Sequence, residues 1–197
     1  MKAIAISGSP RKNGNTEILT SHTLKAIQEE GINTELVSLA SLDIKPCNAC
    51  MVCREEERCP IEDDLFPLYL RMKEADIIIL ATPVYFGSAT ALLKALIERT
   101  GYIAGRNGRP FAGKIGGPLV VARRAGQNFT LAQLMFWFQI NGCFTAGSTY
   151  WNVAFGREKG EVAKDEEGLR TAWNFGKNLA LMARKLTAPD LLPGDTL

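Results

Sequence analysis

The run Asp76-Ile-Ile-Ile-Leu-Ala81 is continuously apolar after its first residue and rich in β-branched side chains. A strand of that composition is covered on both faces, as in a parallel sheet with helices above and below. The rest of the chain alternates to match. Ala3–Ser7, Asn33–Leu39, Leu119–Ala122 and Phe144–Ser148 read as four more strands. Between and after them, Thr16–Glu30 reads as a helix stopped by Gly31, Ser88–Arg99 as one stopped by Gly101, and Thr130–Asn141 as a third. Asp165–Leu186 reads as a last helix capped by Asp165. The pattern predicts an α/β fold: a doubly wound five-stranded parallel sheet in the order 2-1-3-4-5, with helices on both faces. Ligands then bind at the carboxyl ends of the strands, near the switch point. With 197 residues, 46% of them hydrophobic, one domain with its own core is expected over 1–186. A tail at 187–197, carrying Pro189, Pro193 and Gly194, is expected to fray.

The loop after the first strand is Gly8-Ser-Pro-Arg-Lys-Asn-Gly-Asn-Thr16, and a helix follows. The N–H groups and positive dipole end of a helix N-terminus attract phosphate. Ser9, Asn15 and Thr16 add neutral donors, and Arg11 adds charge. The spacing is not that of a dinucleotide fingerprint. It is not that of a triphosphate loop either, because Asn15 stands where the lysine would be. A monophosphate suits these donors. A plain Gly/Asn turn is the alternative.

The third strand ends in Pro83-Val84-Tyr85-Phe86-Gly87. Two aromatic residues in a turn at the ligand edge suit a planar heteroaromatic ring packed on them. The alternative is that both fold back onto the core. After the fourth strand comes Arg123-Arg124-Ala125-Gly126-Gln127, basic and bent at a glycine. A solvated basic turn is an equal reading there.

Taken together, GSPRKNGNT, TPVYFGSATALLKALIER and ARRAGQNFT resemble the flavodoxin-like NAD(P)H-dependent FMN reductase family, over roughly Met1 to Leu186. The resemblance implies that Ser9, Arg11, Asn15 and Thr16 hold the FMN phosphate. It implies that Pro83, Val84, Tyr85, Phe86 and Gly87 line the isoalloxazine ring, with Gly126 and Gln127 flanking it.

Four of the five cysteines crowd into thirteen residues as Cys47-x2-Cys50-x2-Cys53-x5-Cys59-Pro60. Three thiolates within seven residues can wrap one face of a cuboidal cluster, and a fourth can close it. Bacterial-type ferredoxins use such a run, although with a shorter last spacer. Structural zinc sites favour two separated pairs instead. Four reduced thiols on a surface loop are the third reading. Within the family, the close-packed quartet looks like the iron-sulfur flavoproteins, which carry one [4Fe-4S] cluster beside FMN. Cys143 stands apart in an apolar segment and reads as a buried filler.

The remaining features mostly exclude. A net charge of +2 argues against nucleic acid. No apolar stretch approaches the roughly 20 residues of a membrane span, and the N-terminal run is too short for a signal peptide. Cytoplasmic residence is the expectation. His22 sits mid-helix with no catalytic setting, and Glu55, Glu56 and Glu57 read as a solvated turn. Beside a cluster their charge would favour its oxidised state. Arg106 and Arg109 lie in a Gly-rich loop and read as plain surface charge. The third helix is apolar nearly all round, through Leu131, Leu134, Met135, Phe136, Trp137, Phe138 and Ile140. That predicts a homodimer or a larger homo-oligomer. The expected function is a flavin oxidoreductase, moving electrons between NAD(P)H or the cluster, FMN and a small-molecule or protein acceptor. Three other readings stay open: a flavodoxin-like carrier, a quinone or azo-compound reductase without a cluster, and a zinc-stabilised non-enzymatic module.

Overall fold

The computed structural model describes residues 1–186. The tail expected at 187–197 lies outside them. β1 (Lys2–Ser7), β2 (Asn33–Ser38), β3 (Ile77–Pro83), β4 (Ile115–Ala122), β5 (Phe144–Thr145) and β6 (Val153–Phe155) form one sheet. Its order is β2-β1-β3-β4-β5, every pairing is parallel, and β6 also pairs with β4. The expected order is therefore observed.

Alternation along the central strands makes two cores. Ile4, Ile6, Ile78 and Leu80 face one side, covered by α2 (Leu65–Glu74), α3 (Ala91–Arg106) and α4 (Gln127–Ile140). Ala3, Ala5, Ile77 and Ile79 face the other, covered by α1 (Asn15–Gln28) and α5 (Glu166–Leu186). Asp165 does cap α5: its carboxylate accepts from Gly168 N at 2.9 Å and from Phe155 N at 2.7 Å. No helix among the described residues is long and apolar enough to cross a membrane.

The helix α2 is absent from the sequence expectation, and three expected elements differ most in their bounds. The fourth strand starts at Ile115, four residues early, through Gly116-Gly117-Pro118. A β-carbon on Gly116 would overlap the carbonyl oxygen of Ile78 and come within 2.7 Å of the Phe138 ring. On the other face, one on Gly117 would come within 3.0 Å of the Phe175 ring. The glycines are there for close packing, not for turning. Similarly, α3 starts at Ala91, runs through Gly101 and ends at Arg106. A β-carbon at Gly101 would stand 3.0 Å from the indole nitrogen of Trp137, so this glycine marks a helix crossing and not a stop. The fifth strand is broken in two. β5 pairs with Ile115 and Gly116, β6 pairs with Val120 to Ala122, and residues 146–152 bulge between them.

Candidate functional site

The first loop is built by buried polar bonds around Gly8. Gly8 N donates to Ala81 O at 2.8 Å, and Gly8 O accepts from Thr90 Oγ1 at 2.6 Å. Thr90 also caps α3, accepting from Leu93 N at 3.3 Å, while its own N–H donates to Thr82 Oγ1 at 3.2 Å. The ends of β1 and β3 and the start of α3 are thus tied at one point. A β-carbon at Gly8 would stand 2.5 Å from Leu93 Cβ, so the loop leaves the sheet where only glycine fits.

Beyond Gly8, the Ser9 hydroxyl accepts from Arg11 N at 3.1 Å and shapes the turn. Glu17, which the sequence reading did not single out, is buried. Its carboxylate accepts from Asn13 N at 2.6 Å and from the Ser38 hydroxyl, holding the loop against the end of β2. Gly14 is the N-cap of α1 and supplies no side chain. Among the described residues, no protein acceptor takes the N–H of Asn15, Thr16 or Glu17. These are the orphan donors of a helix start. The Asn15 side chain is otherwise engaged: it donates to Glu158 O at 2.8 Å and accepts from Val162 N at 3.3 Å. Asn15 therefore offers the loop its backbone N–H rather than its amide.

The second loop is a tight turn. Tyr85 and Ser88 exchange backbone hydrogen bonds of 2.9 and 3.0 Å, with Phe86 at φ +51° and Gly87 at φ +75° between them. Two successive positive φ angles match a primed hairpin turn. A bulky residue in that region is uncommon. The Phe86 ring is fully exposed and Tyr85 is half-exposed, so neither folds back onto the core. Val84 N donates to Val121 O at 2.9 Å. From α4, Gln133 Oε1 accepts from Ser88 Oγ at 2.9 Å and Ala89 N at 3.1 Å, a support the sequence did not signal. Gly126 (φ +87°) packs behind the turn, where a β-carbon would stand 2.9 Å from Val84 Cγ1 and 3.1 Å from Gly87 Cα. Beside it, Gln127 Oε1 is buried with no partner among the described residues.

Ser9, Arg11, Asn15, Thr16, Pro83, Val84 and Tyr85 line one cleft of about 390 Å³ at the carboxyl ends of the strands. Phe86, Gly87, Gly126 and Gln127 stand outside its walls, Phe86 at the exposed tip and Gly126 behind the turn. The wall missed by sequence reasoning is Gly156–Lys159, just after β6. A β-carbon on Gly156 would stand 2.7 Å from Asn15 Nδ2, so this segment and α1 interlock. Arg123 joins it, and Arg11, Arg123, Arg157 and Lys159 leave the cleft strongly cationic, with Glu158 the acidic group. The basic run in Phe-Gly-Arg-Glu-Lys-Gly160 was the available signal. The donors, charge and size fit a flavin mononucleotide phosphate with a flat ring beyond it.

Cys47, Cys50, Cys53 and Cys59 line a second, separate cavity of about 70 Å³. Met51, Pro60 and Ile61 wall it from the loop, and Arg99, Tyr102 and Ile103 wall it from α3. The loop is wound tightly: Ala49 and Met51 have φ +57° and +64°, and a single helical turn follows at Val52–Arg54. Its base is closed where Asp43 N donates to Asp64 Oδ2 and Asp64 N to Asp43 O. Asn107 Nδ2 holds Cys53 O at 3.0 Å. Burial pushes the Cys53 thiol up, and the neighbouring sulfurs push it further. Four thiolates facing one cavity repel each other unless a cationic centre lies among them. No three potential ligands among the described residues converge on a single ion. Arg99 is buried and its Nε has no partner among the described residues, an orphan donor in the wall of the sulfur cavity. Four cysteine sulfurs lining one cavity are a donor set that suits an iron-sulfur group with sulfide acceptors of its own.

The remaining candidates fall elsewhere. Glu57 accepts from Tyr69 and Lys73, and Glu56 pairs with Arg58, so the glutamate turn is largely compensated. Burial of Tyr69 beside Glu57 pushes its phenol well above the ordinary range. Cys143 is half-buried and donates to Phe111 O at 3.3 Å, and burial pushes its thiol up to about 11. His22 lies against Trp173, and burial lowers it. Arg109 holds Ile140 O, and Arg106 lies over the Tyr102 ring, both away from the cleft.

Comparison with known proteins places the chain in a family. The profile of the NADPH-dependent FMN reductase family matches residues 1–158. An iron-sulfur flavoprotein of Methanocaldococcus jannaschii is 43% identical over 187 residues, covering 91% of this chain and 96% of its own. Another, of Methanosarcina thermophila, is 36% identical over 184 residues, covering 91% and 93%. Among solved structures, RosB with bound 8-demethyl-8-formylriboflavin-5'-phosphate aligns with a TM-score of 0.76 at 18% identity, over 94% of this chain and 80% of its own. A WrbA-like flavodoxin of Agrobacterium tumefaciens aligns with a TM-score of 0.63 at 16% identity, over 93% and 98%. At those identities the structural likenesses speak for the fold alone. Identity of this level across nearly whole chains speaks for more: this chain belongs to the NADPH-dependent FMN reductase family, in its iron-sulfur flavoprotein branch, and is a flavin-dependent oxidoreductase.

Proposed function

We propose that the chain binds FMN non-covalently in the Ser9–Tyr85 cleft and one [4Fe-4S] cluster on Cys47, Cys50, Cys53 and Cys59. Electrons move between NAD(P)H or the cluster, FMN and an acceptor. The observation that carries this is the pairing of two separate sites in one chain: a cationic cleft at a helix start, and a cavity lined by four cysteines. When bound, FMN supplies two-electron and one-electron chemistry, and the cluster carries one electron at a time.

The chain's own residues bind and orient. Arg11 and the free N–H groups of α1 anchor the phosphate, with Ser9 and Thr16 beside them. Pro83, Val84 and Tyr85 wall the ring, and Gly126 keeps that wall in place from behind. Arg123, Arg157 and Lys159 hold negative charge at the mouth, where NAD(P)H or an acidic protein partner would approach. No residue of the cleft is required as acid or base.

The two sites lie along α3, one at its N-terminus and the other from its middle toward its C-terminus. Thr90 caps the helix beside Gly8 and the flavin cleft, and Arg99 to Ile103 wall the sulfur cavity. At 1.5 Å per residue, Arg99 lies about 14 Å further along the axis. A symmetric assembly could bring a cluster closer to a neighbour's flavin. Such an assembly is part of the proposal, and its support is α4. Only one side of α4 is covered within the chain, while Phe129, Phe136 and Ile140 are 69%, 66% and 77% exposed. Tyr150 and Trp151 continue that face around a groove of about 560 Å³. An apolar surface of this extent marks an interface, and a homodimer or larger homo-oligomer would cover it. The reading is of a cytoplasmic protein with no nucleic-acid or membrane partner.

The test is protein purified and reconstituted without oxygen. Its absorption spectrum should show resolved flavin bands plus a broad shoulder that reductant bleaches. Iron and labile sulfide should each reach about four per chain. Replacing any one of the four cysteines by Ser should make the cluster labile and leave flavin bound. Flavin without iron, or one tightly held zinc per chain, would remove the cluster from the proposal.

A further inference from the structure

The guanidinium of Arg99 is almost wholly buried, and every nitrogen but one has a partner. Nη1 meets Asp63 Oδ2 and donates to Lys45 O at 2.9 Å. Nη2 donates to Asp63 Oδ1 and to the sulfur of Cys59, each at 3.1 Å. Nε alone is left over, buried, in the wall of the four-cysteine cavity. Asp63 is equally buried and accepts from Lys45 N at 2.9 Å and Leu65 N at 3.1 Å. Lys45 precedes the cysteine run and Leu65 begins the helix after it, so this carboxylate staples the two ends of the loop. The fork is therefore fixed from both sides, with one N–H aimed at a cysteine sulfur and another unspent.

Burying an ion pair costs more desolvation than the pair usually returns, so structure alone is a weak reason to keep one here. Two features that stability does not explain belong to this wall residue: the bond to Cys59 and the orphan Nε. Hydrogen bonds to cluster sulfurs stabilise the more negative, reduced state and raise the reduction potential.

We infer that Arg99, clamped by Asp63, is a positioning residue that donates hydrogen bonds to Cys59 and to a second sulfur acceptor in the cavity, and thereby sets the reduction potential of the cluster. This rests on the cluster reading above. Electrostatics supports the assignment. Asp63 already neutralises the arginine, so what reaches the cluster is a directed set of N–H dipoles and not a loose charge.

The experiment uses anaerobically reconstituted full-length protein and two variants. Arg99→Lys keeps the charge and loses the planar fork. The double variant Arg99→Met with Asp63→Asn removes both charges, so no buried ion is left unpaired. Iron and sulfide are counted first. The cluster midpoint potential is then read by redox titration with paramagnetic resonance, with the FMN midpoint in the same samples as an internal reference. The expected result is a cluster midpoint shifted to lower potential in both variants, further in the double one, and an unmoved FMN midpoint. An unshifted cluster midpoint in either variant that holds a cluster would overturn the tuning role. So would loss of the cluster from both variants while flavin binding and circular dichroism stay native, which would leave Arg99 a mere anchor. Wild-type protein that binds no cluster under these conditions overturns the cluster reading first, and this inference with it.

Discussion

Thr90→Val isolates the polar bond that joins the flavin cleft to the sheet. Thr90 is 3% exposed. Its hydroxyl donates to Gly8 O at 2.6 Å and accepts from Leu93 N at 3.3 Å. Valine has nearly the same shape and neither bond. The lost helix cap costs about 1 kcal/mol. Leaving the buried Gly8 carbonyl without its partner costs about 1–3 kcal/mol more. The geometry puts most of the loss on the shorter bond to Gly8. The expected destabilisation is therefore about 2–4 kcal/mol. At roughly 2–4 °C per kcal/mol for a chain of this size, Tm falls by about 4–16 °C. Urea titration of flavin-free protein, followed by circular dichroism, measures it: the midpoint drops and the slope holds. Thr90→Ser keeps the hydroxyl and should lose far less. FMN should bind more weakly to the valine variant, because Gly8 begins the phosphate loop. A valine variant within about 0.5 kcal/mol of wild type would refute the reasoning, as would a serine variant equally destabilised.

Other perturbations test other joints. Gly126→Ala adds a β-carbon 2.9 Å from Val84 Cγ1 at φ +87° and should cost about 2–3 kcal/mol, read together with weaker FMN binding by fluorescence titration. Gly116→Ala drives a β-carbon into the Ile78 carbonyl and the Phe138 ring, and a loss of at least about 3 kcal/mol should appear as a collapsed urea midpoint or as insoluble protein. Burial alone would raise the Asp63 carboxyl, but Arg99 and the N–H groups of Lys45 and Leu65 hold it below the ordinary carboxylate range. Its stabilisation is thus present above the unfolded value, near 3.8, and is lost as pH falls through the lower folded value. Asp63→Asn should accordingly flatten the acid limb of urea midpoints measured from about pH 6 down to about pH 2. Phe136→Lys should leave the fold intact and shift light-scattering mass toward the monomer. An unchanged mass would take α4 out of the interface.

Periodicity and spacing made much of this protein legible. DIIILA signals a strand buried twice, because a parallel strand shows no polar alternation. GSPRKNGNT signals its loop because unpaired helix-start donors and a glycine exit are local properties. The cysteine quartet signals one cavity because thirteen residues cannot spread far. What stayed hidden is what depends on partners distant in sequence. Gly101 reads as a helix stop, and the fourth strand as starting only after Gly116, because the rings that need their space, Trp137 and Phe138, lie on another helix. β6 is too short to announce itself, and only the edge of β4 gives its three residues a ladder. The cleft wall at Gly156–Lys159 follows from that pairing. Arg99 looks in sequence like any arginine near a helix end, and Asp63 like any loop acid. Folding buries both and aims one at Cys59. The sequence by itself determined which segments could be strands, helix starts and ligand loops, since those rest on chain geometry and neighbouring side chains. Only the tertiary structure decided which of them meet, because burial, charge pairing and close approach belong to residues that the chain itself keeps far apart.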